Sequence, residues 1–163
     1  MNYNKKKIFL IDAMALIYRA HYAMVYNQLI TSSGMHTSAV FGFVNSLLKI
    51  INDEKPDFLG ICSDSKAPTF RHKRYDAYKA NRKKMPDELQ EQIPILYNIF
   101  EKANIPLLKL SSYEADDILG TFATKIDNEK NHTYIVSADK DLMQLVNEST
   151  SIYSIGNKFK PTT

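Results

Sequence analysis

The chain has 163 residues and a formal net charge of +3; 44% of its residues are hydrophobic, and Cys62 is its single cysteine. This composition predicts one domain with an ordinary apolar core and excludes a framework held by internal disulfides. The apolar run after the basic start is too short for a signal peptide, and no stretch approaches the roughly 18 apolar residues of a membrane span, so we expect a soluble, cytoplasmic protein.

Five short apolar segments predict β-strands, because each has the length and apolar character of a buried strand. In chain order they are residues 6–12 (KKIFLID), 57–64 (DFLGICSD), 105–110 (IPLLKL), 133–139 (TYIVSAD) and 151–155 (SIYSI). Helical patterns lie between them, at residues 38–53, 86–104, 114–126 and, as a short helix start, 139–146. Pro94 is expected to kink or interrupt the second helix. Strands alternating with helices predict a three-layer α/β fold, with a mostly parallel sheet and helices on both faces.

Basic and acidic residues are concentrated in different parts of the chain. Residues 66–84 contain eight Lys or Arg and one acid, whereas residues 111–141 contain seven acids and three bases. A basic segment and an acidic cluster in one small domain favour a polyanion guided towards a metal site. The alternative is two solvated surfaces that never meet.

Carboxylates follow three of the predicted strands at the point where each strand ends. Asp12, Asp64 and Asp139 occupy these positions, and ligand sites of open parallel sheets lie beyond the carboxyl ends of the strands. The stretch SSYEADDILG, residues 111–120, brings further acids to that edge. The candidate metal ligands are Asp12, Asp64, Glu114, Asp116, Asp117, Asp139 and Asp141.

Helix capping is the simpler interpretation of these acids. Acidic side chains favour the first turn of a helix, and Ser111 and Glu114 have the spacing of a capping box. A lone Asp at a strand end is also often a cap. Capping explains less well why three strand ends and a Glu-x-Asp-Asp helix start all carry acids.

Clustered carboxylates repel one another, and hard divalent cations relieve that repulsion. All-oxygen ligand sets suit Mg²⁺ or Mn²⁺, and two such ions about 4 Å apart clamp the reacting oxygens of a phosphodiester.

Other kinds of site each lack a residue or motif that they require. Met14 stands where a haloacid-type phosphatase needs a second Asp, no Gly-rich phosphate loop is present, and the four His residues show no zinc spacing. A phosphoaspartyl receiver domain needs only one acidic pocket, so seven acids are more than it would require. Cys62 lies inside an apolar strand and is better explained as a core residue than as a nucleophile.

Aromatic and cationic side chains alternate in residues 66–84, which we call the basic segment. Lys and Arg supply affinity for phosphates, and aromatic rings stack on the bases of a single strand. The aromatic residues of the segment are Phe70, Tyr75 and Tyr78, and the candidate DNA-binding residues are Arg71, Lys73, Arg74, Tyr75, Tyr78, Lys83 and Lys84. If the segment is helical, Tyr75, Lys79 and Arg82 share one face. The alternative is an exposed helix with a solvated basic face.

Five ordered stretches resemble the 5′-nuclease domain of bacterial DNA polymerase I and related flap endonucleases. They are LIDAMALIYRA, TSSGMHTSAVFGF, SDSKAPTFRHKRYDAYKANR, SYEADDILG and SADKDLMQLV, and they cover most of the chain. The resemblance implies a PIN-like, resolvase-like α/β domain. It also implies a 5′-3′ exonuclease and structure-specific 5′-flap endonuclease, which uses two Mg²⁺ ions, replaceable by Mn²⁺, to remove primers or flaps in DNA replication and repair.

The same resemblance implies roles for single residues. The first metal ion would be held or flanked by Asp12, Asp64, Glu114 and Asp116. The second ion and its water shell would be served by Asp117, Asp139 and Asp141. Lys79 and Arg82 match a basic pair on a helical arch that contacts the scissile phosphate, so both are candidate catalytic residues. Arg19, a third candidate catalytic residue, and Arg71 match basic positions that touch phosphates or brace the carboxylates.

Members of this family carry a further Gly-Asp-x-x-Asp motif and a helix-hairpin-helix-type DNA-binding element after the segments seen here. We therefore expect residues 1–163 to be the N-terminal catalytic part of a longer, nucleoid-associated polypeptide, a monomer with or without a linked polymerase domain. The expected partner is DNA with 5′ ends, flaps or branches, including RNA primer strands. Two alternatives stay open: a PIN-type ribonuclease, and a DNA-binding module with little activity in this truncated form.

Overall fold

A single sheet of five parallel strands is the centre of the computed structural model, which describes residues 5–65, 67–75, 78, 84–126 and 128–155, with the backbone alone at 72 and 73. The strands are β1 (Lys6–Asp12), β2 (Phe58–Cys62), β3 (Leu107–Leu108), β4 (Asn131–Val136) and β5 (Thr150–Tyr153). They lie in the order β3-β2-β1-β4-β5, and every pairing is parallel. The predicted mostly parallel sheet is confirmed.

The central strand β1 brings the ends of three strands together. Asp12, its last residue, pairs in register with Cys62 of β2. One residue earlier, Ile11 pairs with Val136 of β4. Residues that follow β2 and β4 therefore leave the sheet beside Asp12, on its carboxyl edge.

Six α-helices and one 3-10 helix connect the strands in the described ranges. They are α1 (Ala13–Ala23), α2 (Ser38–Glu54), α3 (Phe70–Arg74), α4 (Asp87–Gln90), α5 (Ile93–Lys102), α6 (Ala115–Lys125) and the 3-10 helix Lys140–Leu145. Helix α4 ends before α5 begins, and Pro94 lies in the first turn of α5, where its missing N–H costs no hydrogen bond. The predicted interruption is confirmed. Within the same ranges, no helix is both long and apolar enough to cross a bilayer.

Helix α1 is absent from the elements predicted by sequence. Its buried face, formed by Leu16, Ile17 and Ala20, has helical spacing. However, the helix follows β1 with no intervening turn, because Asp12 both ends the strand and caps the helix. The strand pattern and the helix pattern therefore run into each other in the sequence.

Helices cover both faces of the sheet and form two apolar cores with it. Phe9 and Ile11 pack into the larger core, which includes side chains of α1, α2 and α5. Leu10, between them, packs into the smaller core with Ile118 and Leu119 of α6. This alternation follows from the pleat of a strand, in which successive side chains point to opposite faces. The predicted three-layer arrangement is confirmed.

A glycine allows the close packing of α1 on α2. A Cβ atom at Gly42 would lie 2.8 Å from the Cβ atom of Ala20, closer than side chains approach each other. Because α1 begins directly after Asp12, this packing also holds the start of α1 at the carboxyl edge of the sheet.

Gln92, between α4 and α5, supplies the N-terminal cap of α2 from 53 residues away in the sequence. Its side chain is 1% exposed. Its Oε1 atom accepts hydrogen bonds from the backbone N–H groups of Ala39 (2.9 Å) and Val40 (3.2 Å). Its Nε2 atom donates to the carbonyl of Glu88. Thr37, the residue before α2, makes no side-chain cap, so these N–H groups depend on Gln92.

Replacing Gln92 by Leu is expected to destabilise the protein by about 3 kcal/mol, because two buried N–H groups lose their acceptor. For a chain of this size that corresponds to a fall in melting temperature of roughly 6–12 °C. Thermal and urea unfolding of the variant would measure it. Gln90→Leu, at an exposed position of α4, is the matched control and should change stability by less than about 0.5 kcal/mol. Equal stability of the two variants would contradict the capping role.

Candidate active site at the carboxyl edge of the sheet

Asp12 lies at the centre of the carboxyl edge and is 6% exposed. Its Oδ1 atom accepts the backbone N–H of Ala15 (3.1 Å), and its Oδ2 atom accepts the hydroxyl of Ser137 (2.9 Å). Ser137 follows β4, so this contact joins the ends of β1 and β4. Burial raises the pKa of Asp12; the two hydrogen bonds oppose this effect, and the nearby charges of Asp64 and Asp139 add to it.

The first turn of α6 is tied to the end of β2. Asp64 accepts the backbone N–H of Ala115 at 2.8 Å. Glu114 is the N-cap residue of α6, and its N–H donates to Oδ2 of Asp117 at 3.0 Å. The capping box of this helix is therefore Glu114 with Asp117. The predicted pairing of Ser111 with Glu114 is wrong, because the helix begins only at Ala115.

Asp116 faces the other acids of this edge. Its pKa is raised to about 6, first by partial burial and then by the negative charges of Asp12, Asp139, Asp64 and Glu114. Carboxylates affect one another in this way only when they are close together. Acids from four separate chain segments therefore share one electrostatic environment.

A cavity of about 720 Å³ opens in front of these acids. Five of the seven candidate ligands line it: Asp12, Asp64, Glu114, Asp116 and Asp139. The lining also includes aromatic and sulfur-containing side chains: Met14, Tyr18, Tyr22, Met85 and Tyr97. Tyr18 and Tyr22 are stacked, with ring centroids 6.2 Å apart. A ligand in this cavity can therefore contact both carboxylates and aromatic rings.

Asp139 and Asp141 lie at the start of the 3-10 helix. Asp139 caps that helix by accepting the N–H of Asp141 at 2.9 Å, and its own N–H donates to the hydroxyl of Ser137 at 3.1 Å. Both carboxylates are exposed. Asp141 is outside the set of residues that lines the cavity.

Arg71 and Tyr78 of the basic segment contact two of the candidate ligands. The guanidinium of Arg71 donates to both carboxylate oxygens of Asp117, at 2.8 and 2.7 Å, and lies 3.6 Å from Glu114. These hydrogen bonds raise the pKa of Arg71 above its usual value. The hydroxyl of Tyr78 donates to Glu114 at 3.0 Å. Asp117 therefore faces Arg71 and, like Asp141, is outside the lining of the acidic cavity.

The donor chemistry of the cavity fits a hard divalent cation, because its acids offer only oxygen ligands. The raised pKa of Asp116 also marks negative charge that a cation would neutralise. As the side chains stand, no three His, Cys, Asp or Glu of the described part of the chain are grouped to hold an ion. Asp12, Asp64 and Asp139 instead accept backbone N–H groups. These hydrogen bonds set the orientation of the three carboxylates.

The other described candidates from the basic segment and α1 are outside the lining of the cavity, with one exception. Lys84 lines the cavity and pairs with Asp87 at 2.9 Å. Arg74 and Tyr75 are exposed. Arg19 is also exposed, and it donates to the carbonyl of Ile155, just after β5. Lys79, Arg82, Lys83 and the side chain of Lys73 lie outside the described residues, so their predicted roles remain predictions.

Three further polar residues support the site and were missed by sequence reasoning. Ser137 holds Asp12 and the backbone of Asp139. Ser63 shares a hydrogen bond of 2.9 Å with the hydroxyl of Tyr97 and so anchors the residue next to Asp64 to α5. Ser137 had one available signal, because it lies two residues before Asp139 at the end of a predicted strand. Tyr97 lies inside an amphipathic helix, and nothing in its local pattern separates it from a core residue.

One protein family matches almost the whole chain. The family model described as 5'-3' exonuclease, N-terminal resolvase-like domain, matches residues 7–163. A curated 5'-3' exonuclease from Aquifex aeolicus is 40% identical over 147 residues, which are 90% of this chain and 50% of that protein. DNA polymerase I of Borreliella burgdorferi is 40% identical over 152 residues, 93% of this chain and 17% of that protein. This chain thus spans at most half the length of these two relatives.

Solved structures share the fold at lower sequence identity. A structure of T5 5'-exonuclease with bound divalent metal ions (zinc) has a TM-score of 0.68 at 21% identity, and covers 91% of this chain and 55% of its own. Bacteriophage T5 flap endonuclease in a pseudo-enzyme-product complex with DNA and metal ions gives the same TM-score and identity. At this identity the likeness concerns the fold alone, and it confirms the predicted resolvase-like α/β architecture.

Proposed function

We propose, on the premise that this chain belongs to the family of 5′-3′ exonuclease N-terminal, resolvase-like domains, that it hydrolyses DNA phosphodiester bonds at 5′ ends and 5′ flaps. The observation that carries this proposal is the acidic cavity, where five carboxylates from four chain segments line one space. Repulsion among such groups destabilises a fold. Divalent cations bound there would relieve this repulsion, and a cavity that holds such cations suits a phosphodiester.

Divalent metal ions, Mg²⁺ or Mn²⁺, are the proposed cofactors. Asp12, Asp64, Glu114, Asp116 and Asp139 would hold them, since these carboxylates line the cavity. The metal ions described in the two T5 structures support this proposal. Bound there, such ions would lower the pKa of a coordinated water and offset negative charge on the phosphate.

The chain's own residues orient the acids and the substrate. Ser137 donates to one oxygen of Asp12 and the backbone N–H of Ala15 donates to the other, so both oxygens of this carboxylate are oriented. The stacked rings of Tyr18 and Tyr22 line the same cavity as the acids and offer aromatic faces against which a nucleobase can stack. Lys79 and Arg82 are proposed, from the family resemblance, to stabilise charge on the scissile phosphate.

DNA is the proposed partner. Arg74 and Tyr75 of the basic segment are exposed and available to phosphates and bases. The DNA in the T5 complex supports this proposal. Because relatives include DNA polymerase I, we also propose that the full-length protein removes primers or flaps in replication and repair, alongside a polymerase domain or polymerase partner.

Cleavage of a labelled 5′-flap duplex under single-turnover conditions tests the proposal. The full-length gene product should shorten the flap strand with Mg²⁺ and should be inactive when EDTA is present. Single-stranded RNA of the same sequence is the comparison substrate. Faster cleavage of the RNA would favour a PIN-type ribonuclease, and flap binding without cleavage would favour a DNA-binding module. Either result contradicts the proposed activity.

Millimolar Mn²⁺ is expected to raise the melting temperature of the wild-type protein. The ion relieves repulsion among the acids and binds only the folded state; at 100 times its Kd it contributes about 2.7 kcal/mol. Differential scanning fluorimetry with and without Mn²⁺ measures the shift. Asp12→Asn should reduce it, whereas Asp57→Asn, at the opposite end of β2, should retain it. An unchanged melting temperature for the wild type would mean that the cavity does not bind the ion.

A further inference from the structure

We propose that Arg71 is a positioning residue for the acidic cavity and acts through Asp117 and Glu114, rather than by contacting a DNA phosphate. The inference rests on the proposed function, because it concerns the same cavity. It also moves Asp117 from the candidate metal ligands to the support of that site.

The first step is the pairing of Arg71 with Asp117. Both carboxylate oxygens of Asp117 accept a guanidinium N–H, at 2.8 and 2.7 Å. This two-point geometry fixes the plane of the carboxylate as well as its position, which a single point charge cannot do. The side chains of Arg71 and Asp117 are 32% and 20% exposed, so the pair is partly shielded from solvent.

The second step is the effect of Asp117 on Glu114. The Oδ2 atom of Asp117, already held by Arg71, accepts the backbone N–H of Glu114 at 3.0 Å. Glu114 is 5% exposed and lines the acidic cavity. Arg71 therefore positions the Oδ2 atom of Asp117, and this atom in turn positions the backbone of Glu114, a candidate metal ligand.

The third step is the link to the rest of the acids. Ala115, the residue after Glu114, donates its N–H to Asp64 at 2.8 Å. The first turn of α6, which contains Asp117, is thus bonded to Arg71 through Asp117 and to Asp64 through the N–H of Ala115. A shift of this turn would move Glu114 and disturb the hydrogen bond between Ala115 and Asp64.

The donors of Arg71 are also occupied in a way that disfavours phosphate binding. Its two terminal nitrogens donate to Asp117, and one lies 3.6 Å from Glu114. A DNA phosphate would have to displace the carboxylate of Asp117 from the guanidinium of Arg71. Arg74, on the same short helix α3, is exposed and is the better candidate for that contact.

Arg71→Lys is the decisive variant, because it keeps the positive charge and removes the two-point geometry. Changes in the support of metal ligands typically cost about 10–100-fold in metal affinity or activity. We expect the Mn²⁺ concentration at half-maximal thermal shift to rise about 10-fold. The single-turnover rate at saturating 5′-flap DNA should fall by about 10–100-fold. Asp117→Asn, which preserves the size of the side chain, should raise the same Mn²⁺ midpoint, and it keeps the test valid if an Arg71 variant folds poorly.

The salt dependence of DNA affinity, measured in Ca²⁺, distinguishes a positioning role of Arg71 from a direct contact with a DNA phosphate. For Arg71→Ala, the slope of log K against log salt should equal that of the wild type, whereas loss of one phosphate contact lowers it by about one. Arg74→Ala is the comparator expected to show that lower slope. Lys49→Ala removes an exposed pair with Asp53 on α2, far from the cavity, and should leave the Mn²⁺ midpoint and the rate unchanged.

A wild-type rate and Mn²⁺ midpoint in Arg71→Lys, with a reduced salt slope in Arg71→Ala, would overturn the inference and assign Arg71 to phosphate binding. This failure is distinct from failure of the proposed function. In the latter case the wild-type protein itself shows neither a Mn²⁺-dependent thermal shift nor flap cleavage, whatever residue stands at position 71.

Discussion

Replacing Asp116 by Asn is expected to abolish cleavage of 5′-flap DNA while making the metal-free protein more stable. The loss of activity follows from the position of Asp116 on the wall of the acidic cavity, among four other carboxylates. Metal ions typically supply several kcal/mol of transition-state stabilisation, so a variant that loses a ligand should be slower by about 1000-fold or more. Single-turnover cleavage with Mg²⁺ measures this rate.

The gain in stability follows from the pKa of Asp116, which is raised to about 6 in the folded protein. An unfolded chain has a value of about 3.9. Between these values the folded state binds more protons than the unfolded state, so the stability of the wild type falls as pH rises through this window and stays lower above it. Asn carries no charge and avoids this loss. Because Asp116 is also exposed to solvent, screening reduces the expected gain to about 1 kcal/mol at pH 8.

Urea unfolding in EDTA at pH 8 and near pH 4 checks this second effect, which should be present at the first pH and vanish at the second. Asp53→Asn is the matched control, because Asp53 is exposed and pairs with Lys49 on α2; it should give no stabilisation at either pH. An Asp116→Asn protein that is inactive but no more stable than wild type at pH 8 would show that repulsion in the cavity is already relieved without metal.

Lys79→Ala is expected to lower the cleavage rate at saturating DNA by about 100-fold or more, which is the usual cost of removing one well-placed donor to a transition state. Binding should weaken much less, because the proposed interaction strengthens as charge builds on the scissile phosphate. The prediction rests on the family resemblance of KRYDAYKANR, since Lys79 lies outside the described residues.

Lys84→Ala is the control that distinguishes a specific effect on the cleavage rate from a general electrostatic effect on DNA binding. Lys84 is exposed, pairs with Asp87, and borders the acidic cavity. Its loss should weaken binding, reduce the salt slope by about one and have a milder effect on rate. Binding is measured with Ca²⁺, and the rate with Mg²⁺. If the two variants behave alike in both assays, residues 66–84 act only as an electrostatic surface, and the catalytic role of Lys79 is wrong.

The sequence alone was sufficient to predict the sheet, because its strands are short apolar runs and its helices carry apolar faces at helical spacing. It was less informative where one residue serves two elements. Asp12 ends β1 and caps α1, and that helix was missed. Gln92 caps α2 across 53 residues, a contact for which local spacing gives no signal.

The acids of the site were predictable for a topological reason, since the carboxyl ends of parallel strands meet at one edge. The partners of those acids were not. Whether Asp117 faces the cavity or Arg71 depends on where α6 begins and where the basic segment packs, and both are long-range properties. Only the three-dimensional structure shows which acids line the cavity and which, like Asp117, contact other side chains instead.

The position of β1 at the centre of the sheet has a consequence for how the chain folds during synthesis. One edge of β1 pairs with β2, which begins at Phe58. The other edge pairs with β4, which begins only at Asn131, and the contact between Asp12 and Ser137 spans 125 residues. Until β4 emerges from the ribosome, the apolar central strand β1 has an unpaired edge. Unpaired strand edges of nascent chains promote aggregation and binding by chaperones. Long-range pairing of this kind is also intrinsically slow. The acidic cavity therefore cannot assemble before the segment that carries Ser137 and Asp139 is made, and a ribosome that stalls earlier leaves a product that lacks this cavity and exposes a strand edge.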